Sequence, residues 1–271
     1  MIDSPSTADP VSPPGKPASD SAGQVVRVRL PYSAPYVTYG LIGITVAFYL
    51  LQRLSPFLWG VTPSGISDMD WLEYLGARIN SEILAGQLWR LLTPALLHGS
   101  FPHIFLNMYA LYSLGAGLER YFGHRRFLIL YALGAFAGNV ASFLFTNGYS
   151  VGASTAIFGL IGAEGVFFYQ NRKLFGEEAR RAIGNVIFVA AINLFVIGSL
   201  PFIDNWGHIG GLLGGAAFAW FGGAKLDLVR EGFSYLRLED VRGTREQLLG
   251  ATLVMVVFGG LALLKILGIA F

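Results

Sequence analysis

Long stretches without any charged residue are the feature that most limits what this chain can fold into. No Asp, Glu, Lys or Arg occurs in Leu30–Gln52, Leu91–Leu118 or Phe127–Ala163. Overall, 54% of the residues are hydrophobic and 13% are charged, whereas a soluble domain carries roughly a quarter charged residues. So little charge cannot provide a water-exposed surface for 271 residues. The sequence therefore predicts an integral membrane protein.

Seven segments are apolar enough to cross a membrane as helices, each of which needs about 20 largely apolar residues. They are helices because open strands would leave backbone groups unpaired in lipid. The turn-forming run Thr146–Ser150 divides one charge-free stretch into two spans. The spans are predicted at about Tyr36–Leu51, within Leu91–Leu118, in the two halves of Phe127–Ala163, and at about Ala182–Ser199, Trp206–Gly223 and Leu248–Ile269. We predict an all-α polytopic bundle.

Composition also divides the chain into regions. Residues 1–33 are rich in Pro, Ser, Ala and Asp and are predicted to form a disordered cytoplasmic tail. No apolar run follows a basic start there, which argues against a cleaved signal peptide. A six-span core is predicted at 34–223, with an outer loop at 53–88. A cytoplasmic linker at 224–247 and a seventh helix at 248–271 follow.

The positive charges predict an orientation through the positive-inside rule. Fifteen of the 19 Lys and Arg residues fall on one side of the predicted membrane. They are Lys16, Arg27, Arg29, Arg120, Arg125, Arg126, Arg172, Lys173, Arg180, Arg181, Lys225, Arg230, Arg237, Arg242 and Arg245. We therefore expect a cytoplasmic N-terminus, an extracytoplasmic C-terminus and, by analogy, a bacterial inner membrane. A net charge of +2 gives no reason to expect a nucleic-acid partner.

The predicted outer loop is long and aromatic. It contains Phe57, Trp59, Trp71, Leu72 and Tyr74, a composition that suits a segment lying in the membrane interface. An ordinary extracytoplasmic loop is the alternative interpretation.

Five polar residues from three different spans are expected at the same membrane depth. His98, His103 and Asn107 begin span two, Ser154 begins span four and His208 lies near the start of span six. All three spans run inward from the outer face. Because polar residues in hydrocarbon are costly and usually functional, their common depth predicts a site at the outer end of the bundle.

These residues suit acyl transfer. Ser154 closely follows Gly152 at a helix start, where backbone N–H groups are unpaired and the helix dipole is positive. A serine hydroxyl needs an adjacent base, and His208 is the histidine available outside the span-two cluster. His103 and Asn107 share one helix face and can form an oxyanion hole with the Ser154 N–H. The absence of cysteine excludes a cysteine nucleophile.

Glycine spacing predicts close packing of spans four and six. Small residues four apart let helix backbones approach, which a hydrogen bond between Ser154 and His208 requires. Generic packing of glycine-rich spans is the alternative. The small residues are Gly207, Gly211 and Gly215, then Gly210 and Gly214, and in span four Gly159 and Ala163.

Three motifs and two flanking marks carry a resemblance to a known family. The motifs are Gly152-Ala153-Ser154 with Phe158-Gly159, then Gly207-His208-Ile209-Gly210-Gly211, and His98-x4-His103-x3-Asn107, with Trp89-Arg90 and Glu119-Arg120-Tyr121 beside span two. Together they resemble a rhomboid intramembrane serine protease over about Tyr36–Gly223. Span seven resembles the extra C-terminal helix of some members.

The resemblance implies a function and a role for each matching residue. It implies a serine endopeptidase that uses a Ser–His dyad, without cofactor or metal, to cleave transmembrane segments of other proteins in the lipid bilayer. Ser154 is implied as nucleophile, His208 as base, and His103 and Asn107 as oxyanion donors. Supporting positions are His98, which is implied to hold the outer loop in place, together with Gly152, Phe158, Trp89 and Arg90.

Two positions depart from the family pattern. Thr155 stands where the family commonly has glycine, and a β-branched residue there can crowd the acyl pocket. Phe158 keeps the aromatic ring that stacks on the base in relatives, where tyrosine is common, but lacks the hydroxyl.

Other polar residues leave alternatives open. Glu164 is predicted to hydrogen-bond Asn139 or Asn193, with proton movement as the functional alternative. Asp204, four residues before His208, is an alternative triad acid. A metal site from His98, His103 and His208 is rejected because no carboxylate completes it. His124, among arginines, is expected to be solvated.

Two other classes of protein remain as alternatives to a protease. A catalytically inactive rhomboid-like binding protein would keep the fold, and Thr155 is its only support. A transporter would show inverted repeats and broken helices at midplane; no such symmetry is visible, and Glu164 is its best residue.

Overall fold

The computed structural model of the chain describes residues 27–29, 33–62, 69–200, 203–231 and 235–269. Most of the predicted tail at 1–33 lies outside the described residues. The described part is predominantly helical, as predicted. The α-helices are α1 (Tyr36–Trp59), α2 (Trp71–Gly76), α3 (Asn80–Leu84), α4 (Phe101–Ala110), α5 (Ala116–Phe122), α6 (His124–Phe145), α7 (Ser154–Gln170), α8 (Arg172–Phe175), α9 (Glu177–Ala191), α10 (Asn205–Gly222) and α11 (Thr244–Ile266).

Short non-α turns continue or connect several of these helices. A π-helical turn at Leu111–Gly115 joins α4 to α5 and makes one continuous helical segment, and a second at Ile192–Val196 extends α9. Short 3₁₀ helices occur at Leu88–Leu91, Thr93–Leu96 and Ile197–Ser199. Each predicted span therefore corresponds to a helical segment.

Four segments in the described part are long and apolar enough to cross a membrane by length and composition. They are Tyr36–Trp59, His124–Phe145, Glu177–Ser199 and Thr244–Ile266. Large apolar side chains such as Phe105 and Phe195 point outward, 58% and 80% exposed. Outward apolar side chains suit a surface covered by lipid.

The centre of the bundle is formed by α6, α7 and α10. The helix α7 has 17 residues and α10 has 18, and glycines line their contacts. Most of α6 is buried inside the protein, whereas few residues of Glu177–Ser199 are buried. Ser154 and His208, predicted in spans four and six, therefore lie on two of the three helices at the centre of the bundle.

The first helix is longer than predicted, because α1 continues through Pro56 to Trp59. Proline lacks the N–H that would bond the carbonyl four residues earlier. That carbonyl belongs to Gln52, and the Ser55 hydroxyl donates to it instead at 2.9 Å. The helix therefore tolerates the proline and extends into the region predicted as outer loop.

The described residues 69–88 of the predicted outer loop at 53–88 also contain short elements. Asp70 caps the start of α2, where its side chain accepts from Leu72 N and Glu73 N. Strand β2 (Arg78–Ile79) pairs antiparallel with β3 (Tyr149–Ser150), the strand that leads to α7. This pairing joins the loop to the chain segment just before Ser154.

A second sheet lies at the opposite end of the bundle from Ser154. Strands β4 (Leu226–Glu231) and β5 (Tyr235–Asp240) form a hairpin, and β1 (Arg27–Arg29) pairs parallel with β5. The described part of the predicted disordered tail therefore includes a strand, and the described part of the predicted linker at 224–247 contains two paired strands and the first residues of α11. Backbone pairing across some 200 residues of sequence is not visible in composition.

Candidate active site

The side chains of Ser154 and His208 meet between α7 and α10. Ser154 is the first residue of α7, and His208 lies one turn into α10. The Ser154 Oγ and His208 Nε2 atoms are 3.0 Å apart, within the range of a hydrogen bond. His208 is buried, with 7% of its surface exposed. With the imidazole proton on Nδ1, Nε2 accepts the hydroxyl proton.

Glycines allow the two helix backbones to approach this closely. A Cβ on Gly211 would overlap the Thr155 carbonyl, and one on Gly215 would overlap the Gly159 carbonyl. The predicted contact of spans four and six is therefore confirmed. Gly210 and Gly214 instead face α6, so α10 uses one glycine face for each neighbour.

The Phe158 ring lies against the base. It is parallel to the His208 imidazole, with a centroid separation of 4.2 Å and an interplanar angle of 5°. Phe158 lies one turn after Ser154 in α7, so it shares the face that carries the serine hydroxyl.

The helix start at Ser154 is held by its preceding residues. The Gly152 N–H donates to Pro94 O at 2.9 Å, and Gly152 has φ +133°, a conformation that favours glycine. A Cβ on Gly152 would lie 2.7 Å from His103 Nε2. Glycine is therefore required there both by the backbone and by the His103 ring. Among the described residues, no side chain caps α7, so its first N–H groups remain available.

His103 and Asn107 lie on the helix α4, which begins after Ser100. The Ser100 hydroxyl accepts from the His103 N–H at 3.4 Å. Asn107 follows one turn later and is buried, with 8% exposed. Within the described part of the chain, neither side chain makes a hydrogen bond to another group. Both can therefore donate to a bound molecule.

His98 links the helix start of α7 to α1. Its Nε2 accepts from the Ala153 N–H at 3.3 Å, and its ring contacts that of His103 with a centroid separation of 4.9 Å. The His98 N–H donates to Gln52 Oε1 at 3.0 Å, and Gln52 Nε2 donates back to the His98 carbonyl at 3.3 Å. His98 therefore connects the residue before Ser154 to Gln52 of α1.

The role of Gln52 was missed from the sequence. It is fully buried, and its Nε2 also donates to Asp70 Oδ2 at 2.9 Å. Arg53 forms an ion pair with the same oxygen at 3.0 Å. Two sequence features could have indicated this role. One is the Gln52 amide at the end of an apolar span, and the other is the helix-capping pattern of Asp70 and Glu73.

Trp89 and Arg90 lie in the outer-loop region and contact its backbone, away from the Ser154–His208 pair. Arg90 NH1 donates to Ala77 O and NH2 to Tyr74 O, both at 2.7 Å. Trp89 Nε1 donates to Leu75 O at 3.0 Å. These contacts hold the short helix α2 in place.

The Asp204 carboxylate makes no hydrogen bond to the His208 ring. It accepts instead from three hydroxyl groups and from the Gly207 N–H. Among the described residues, His208 Nδ1 has no hydrogen-bond partner. The triad alternative for Asp204 therefore has no support in the geometry.

Thr155 packs away from Ser154. Its side chain fills the space left by Gly138, where a Cβ would come within 2.5 Å of Thr155 Cβ, and its methyl group faces Gly207. The β-branched side chain is directed into the contact between α6 and α10, and this placement explains how the helices accommodate it.

Two residues differ from the sequence expectation. Within the described chain, Glu164 makes no hydrogen bond to Asn139 or Asn193; Asn193 donates to Val189 O at 2.8 Å instead. That expected bond is wrong for both partners: Asn193 bonds within its own helical segment, and Asn139 Nδ2 has no hydrogen-bond partner among the described residues. His124 is not simply solvated, since its Nδ1 lies 2.5 Å from Glu119 Oε1. The described residues include no cluster suited to a metal ion.

Comparison with known proteins agrees with the motifs. A family model described as Rhomboid domain matches residues 85–225. The chain is 42% identical over 189 residues to Rhomboid protease GluP of Bacillus subtilis (strain 168), covering 69% of this chain and 36% of that protein. It is 38% identical to RHOMBOID-like protein 6, mitochondrial, of Arabidopsis thaliana, covering 67% of this chain and 59% of the relative.

A third relative is covered more completely. Rhomboid-like protease 3 of Toxoplasma gondii is 32% identical over 182 residues, which are 67% of this chain and 68% of that protein. The chain thus spans about a third of GluP and under two thirds of the Arabidopsis protein, but two thirds of this one. The matched region contains Ser154, His208, His103 and Asn107. The chain belongs to the rhomboid family.

Proposed function

We propose that this protein is an intramembrane serine endopeptidase in which Ser154 is the nucleophile and His208 the base. The observation that carries the proposal is the 3.0 Å contact between Ser154 Oγ and His208 Nε2. A serine beside a base with free donors nearby meets the requirements for acyl transfer. The names of GluP and of the Toxoplasma relative, both called proteases, support the same activity.

Peptide hydrolysis would proceed in two steps. In acylation, Ser154 Oγ attacks the carbonyl carbon while its proton moves to His208 Nε2. The tetrahedral intermediate collapses, the C–N bond breaks and the leaving amine takes that proton from Nε2. In deacylation, water attacks the ester carbonyl and gives its proton to Nε2, which returns it to Ser154 Oγ as the acid product leaves.

The negative oxygen of the intermediate needs donors, and uncommitted ones lie nearby. The first N–H groups of α7 are uncapped, and the His103 ring lies against Gly152 beside Ser154. Asn107 is one turn further along the same face of α4. Each well-placed donor typically contributes a few kcal/mol to such a transition state. We assign His103, Asn107 and the Ser154 N–H to this role.

The substrates we propose are transmembrane segments of other proteins. A helix in lipid keeps its amides paired, so it must unwind before a carbonyl can be attacked. Segments with glycine or proline near the membrane boundary unwind most readily. Most Lys and Arg residues fall on one side of the predicted membrane. By the positive-inside rule, this distribution supports an orientation in which the Ser154 end of the bundle faces the extracytoplasmic side.

Cleavage of a model substrate tests this function. The purified wild-type protein in detergent is incubated with a single-span protein carrying glycine and proline near one membrane boundary. Cleavage is expected for wild type, with losses of several orders of magnitude in Ser154→Ala and His208→Ala. Ser81→Ala, an exposed serine of α3, and His124→Ala, at the opposite end of the bundle, are the matched controls and should cleave normally. Cleavage that survives Ser154→Ala would exclude the proposal.

A further inference from the structure

One carboxylate joins the chain segments that carry Ser154 and His208. Asp204 Oδ1 accepts from Thr146 Oγ1 at 2.9 Å and from the Gly207 N–H at 3.0 Å. Its Oδ2 accepts from Ser150 Oγ at 2.7 Å and from Ser142 Oγ. Four donors on two oxygens use the full accepting capacity expected of an ionised carboxylate in a buried cluster.

The donors come from three different elements. Ser142 lies near the end of α6, Thr146 follows that helix, and Ser150 ends β3, four residues before Ser154. Gly207 belongs to the first turn of α10, which Asp204 caps, and the His208 N–H bonds the Asp204 carbonyl at 3.1 Å. The Asp204 side chain therefore connects the strand that enters the nucleophile helix with the start of the base helix.

A buried cation balances this cluster. Arg78 is fully buried, and its NH1 donates to Gly148 O at 2.9 Å and to Asn80 Oδ1 at 2.7 Å. Its charge also interacts favourably with that of Asp204. Arg78 therefore bonds the loop before β3, and its positive charge favours the ionised form of the Asp204 carboxylate.

We propose that Asp204 is a positioning residue for the Ser154–His208 pair, acting through Ser150 and through the start of α10. The assignment rests on the proposed function, since it concerns the alignment of that pair. It differs from a triad acid, because no atom of the carboxylate bonds the His208 ring. Alignment matters because a misplacement of about 1 Å can cost about 100-fold in rate.

Two serine variants distinguish a role of Asp204 in aligning the Ser154–His208 pair from a role in stabilising the fold alone. Ser150→Ala removes the link to the nucleophile strand, and Ser142→Ala removes the link to α6 while leaving Ser150 bound. Ser142 is fully buried. A purely structural cluster would therefore be damaged more by Ser142→Ala, whereas positioning predicts a slower reaction in Ser150→Ala.

The experiment measures fluorophosphonate labelling and substrate cleavage in detergent. The labelling amplitude gives the fraction of folded sites, and the labelling rate constant reports the alignment of the pair. Relative to wild type, Asp204→Ala should lower the rate constant and kcat by about 100-fold with KM nearly unchanged, and Ser150→Ala by about 10-fold. Ser142→Ala should stay within about threefold. Glu246→Ala, which removes the side-chain bond to Gly243 at the start of α11, should keep the wild-type rate constant.

Each outcome has one meaning. Equal rate constants in wild type, Asp204→Ala and Ser150→Ala would overturn the positioning role and leave the protease proposal intact. A larger rate loss in Ser142→Ala than in Ser150→Ala would also overturn it. If Asp204→Ala does not fold, the two serine variants decide. Wild-type protein that is neither labelled nor active would instead refute the proposed function, and the positioning role with it.

Discussion

The Phe158 ring lies parallel to the His208 imidazole, with a centroid separation of 4.2 Å and an interplanar angle of 5°. The ring is 4% exposed and sits on the same helix as Ser154. His208 Nδ1 has no partner among the described residues. The stacking contact is therefore the main restraint on the imidazole plane apart from its bond to Ser154.

Loss of this ring should impair the reaction more than the fold. Phe158→Leu keeps a somewhat smaller apolar side chain but removes the flat face, so we expect the fluorophosphonate labelling rate to fall by about 10-fold. Phe158→Tyr retains the ring and should stay within about threefold of wild type. Labelling kinetics at a temperature well below unfolding measure this. A wild-type rate in Phe158→Leu would show that stacking does not orient the base.

The buried carboxyl of Glu73 should make the stability of the folded protein depend on pH. It is 3% exposed in α2, and burial together with the nearby Asp70 charge raises the pKa of its carboxyl from 4.5 to about 7. Between these two values the folded protein keeps a proton that the unfolded chain has lost. Stability therefore falls as pH rises from about 5 to about 7, by about 3 kcal/mol, and levels off above that.

Glu73→Gln should remove most of this dependence. The free energy of unfolding in detergent, measured at pH 5 and pH 8, should differ less in the variant than in wild type. Glu82→Gln, on the same outer segment and bonded to Gln87, is the matched control and should keep the wild-type slope. The same pH slope in Glu73→Gln would assign the effect to another group.

Gln52 should stabilise the protein through its bonds to the backbone of His98, the residue that contacts the loop before Ser154. Gln52→Leu removes both bonds to the His98 backbone and the bond to Asp70. Leaving buried polar groups unpaired costs about 1–3 kcal/mol each, so unfolding should become easier by at least about 2 kcal/mol. Gln170→Leu removes one exposed bond to Trp220 O and should cost under about 1 kcal/mol. Equal effects of the two variants would contradict this role.

Alanine should have different effects on stability and labelling at two glycines, Gly211 in α10 and Gly260 in α11. A Cβ at Gly211 would overlap the Thr155 carbonyl beside Ser154, whereas one at Gly260 in α11 meets nothing within 4 Å. Gly211→Ala should destabilise the protein by about 1–3 kcal/mol and slow labelling, while Gly260→Ala should be neutral or slightly stabilising. Thermal unfolding and labelling of both variants check this. A neutral Gly211→Ala would mean that α7 and α10 are further apart.

The sequence predicted the contact between Ser154 and His208 and the position of His103 beside Gly152, because each residue follows from local pattern and depth, whereas the part assigned to Asn107 stays a prediction. Ser154, His103, Asn107 and His208 stand out as polar residues at the ends of apolar spans, and the glycine period of α10 indicated its close contacts. The motifs also indicated the family, which the comparisons confirm.

The supporting contacts could not be predicted in the same way. Gln52 bonds residues 18 and 46 positions away, and Asp204 bonds Ser142 at a separation of 62. Such pairs leave no periodic signal in one sequence, because they depend on how helices are arranged in space. The same reason explains the missed pairing of β1 with β5 and the wrong expectation for Glu164.

The residue that a fluorophosphonate modifies identifies the nucleophile of the protein. Wild-type protein is treated with a fluorophosphonate and analysed by intact-mass and peptide mass spectrometry. We expect one adduct per chain, located on Ser154, abolished in Ser154→Ala and formed several orders of magnitude more slowly in His208→Ala. An adduct on another serine, or substrate cleavage by wild-type protein in which Ser154 never becomes modified, would contradict it.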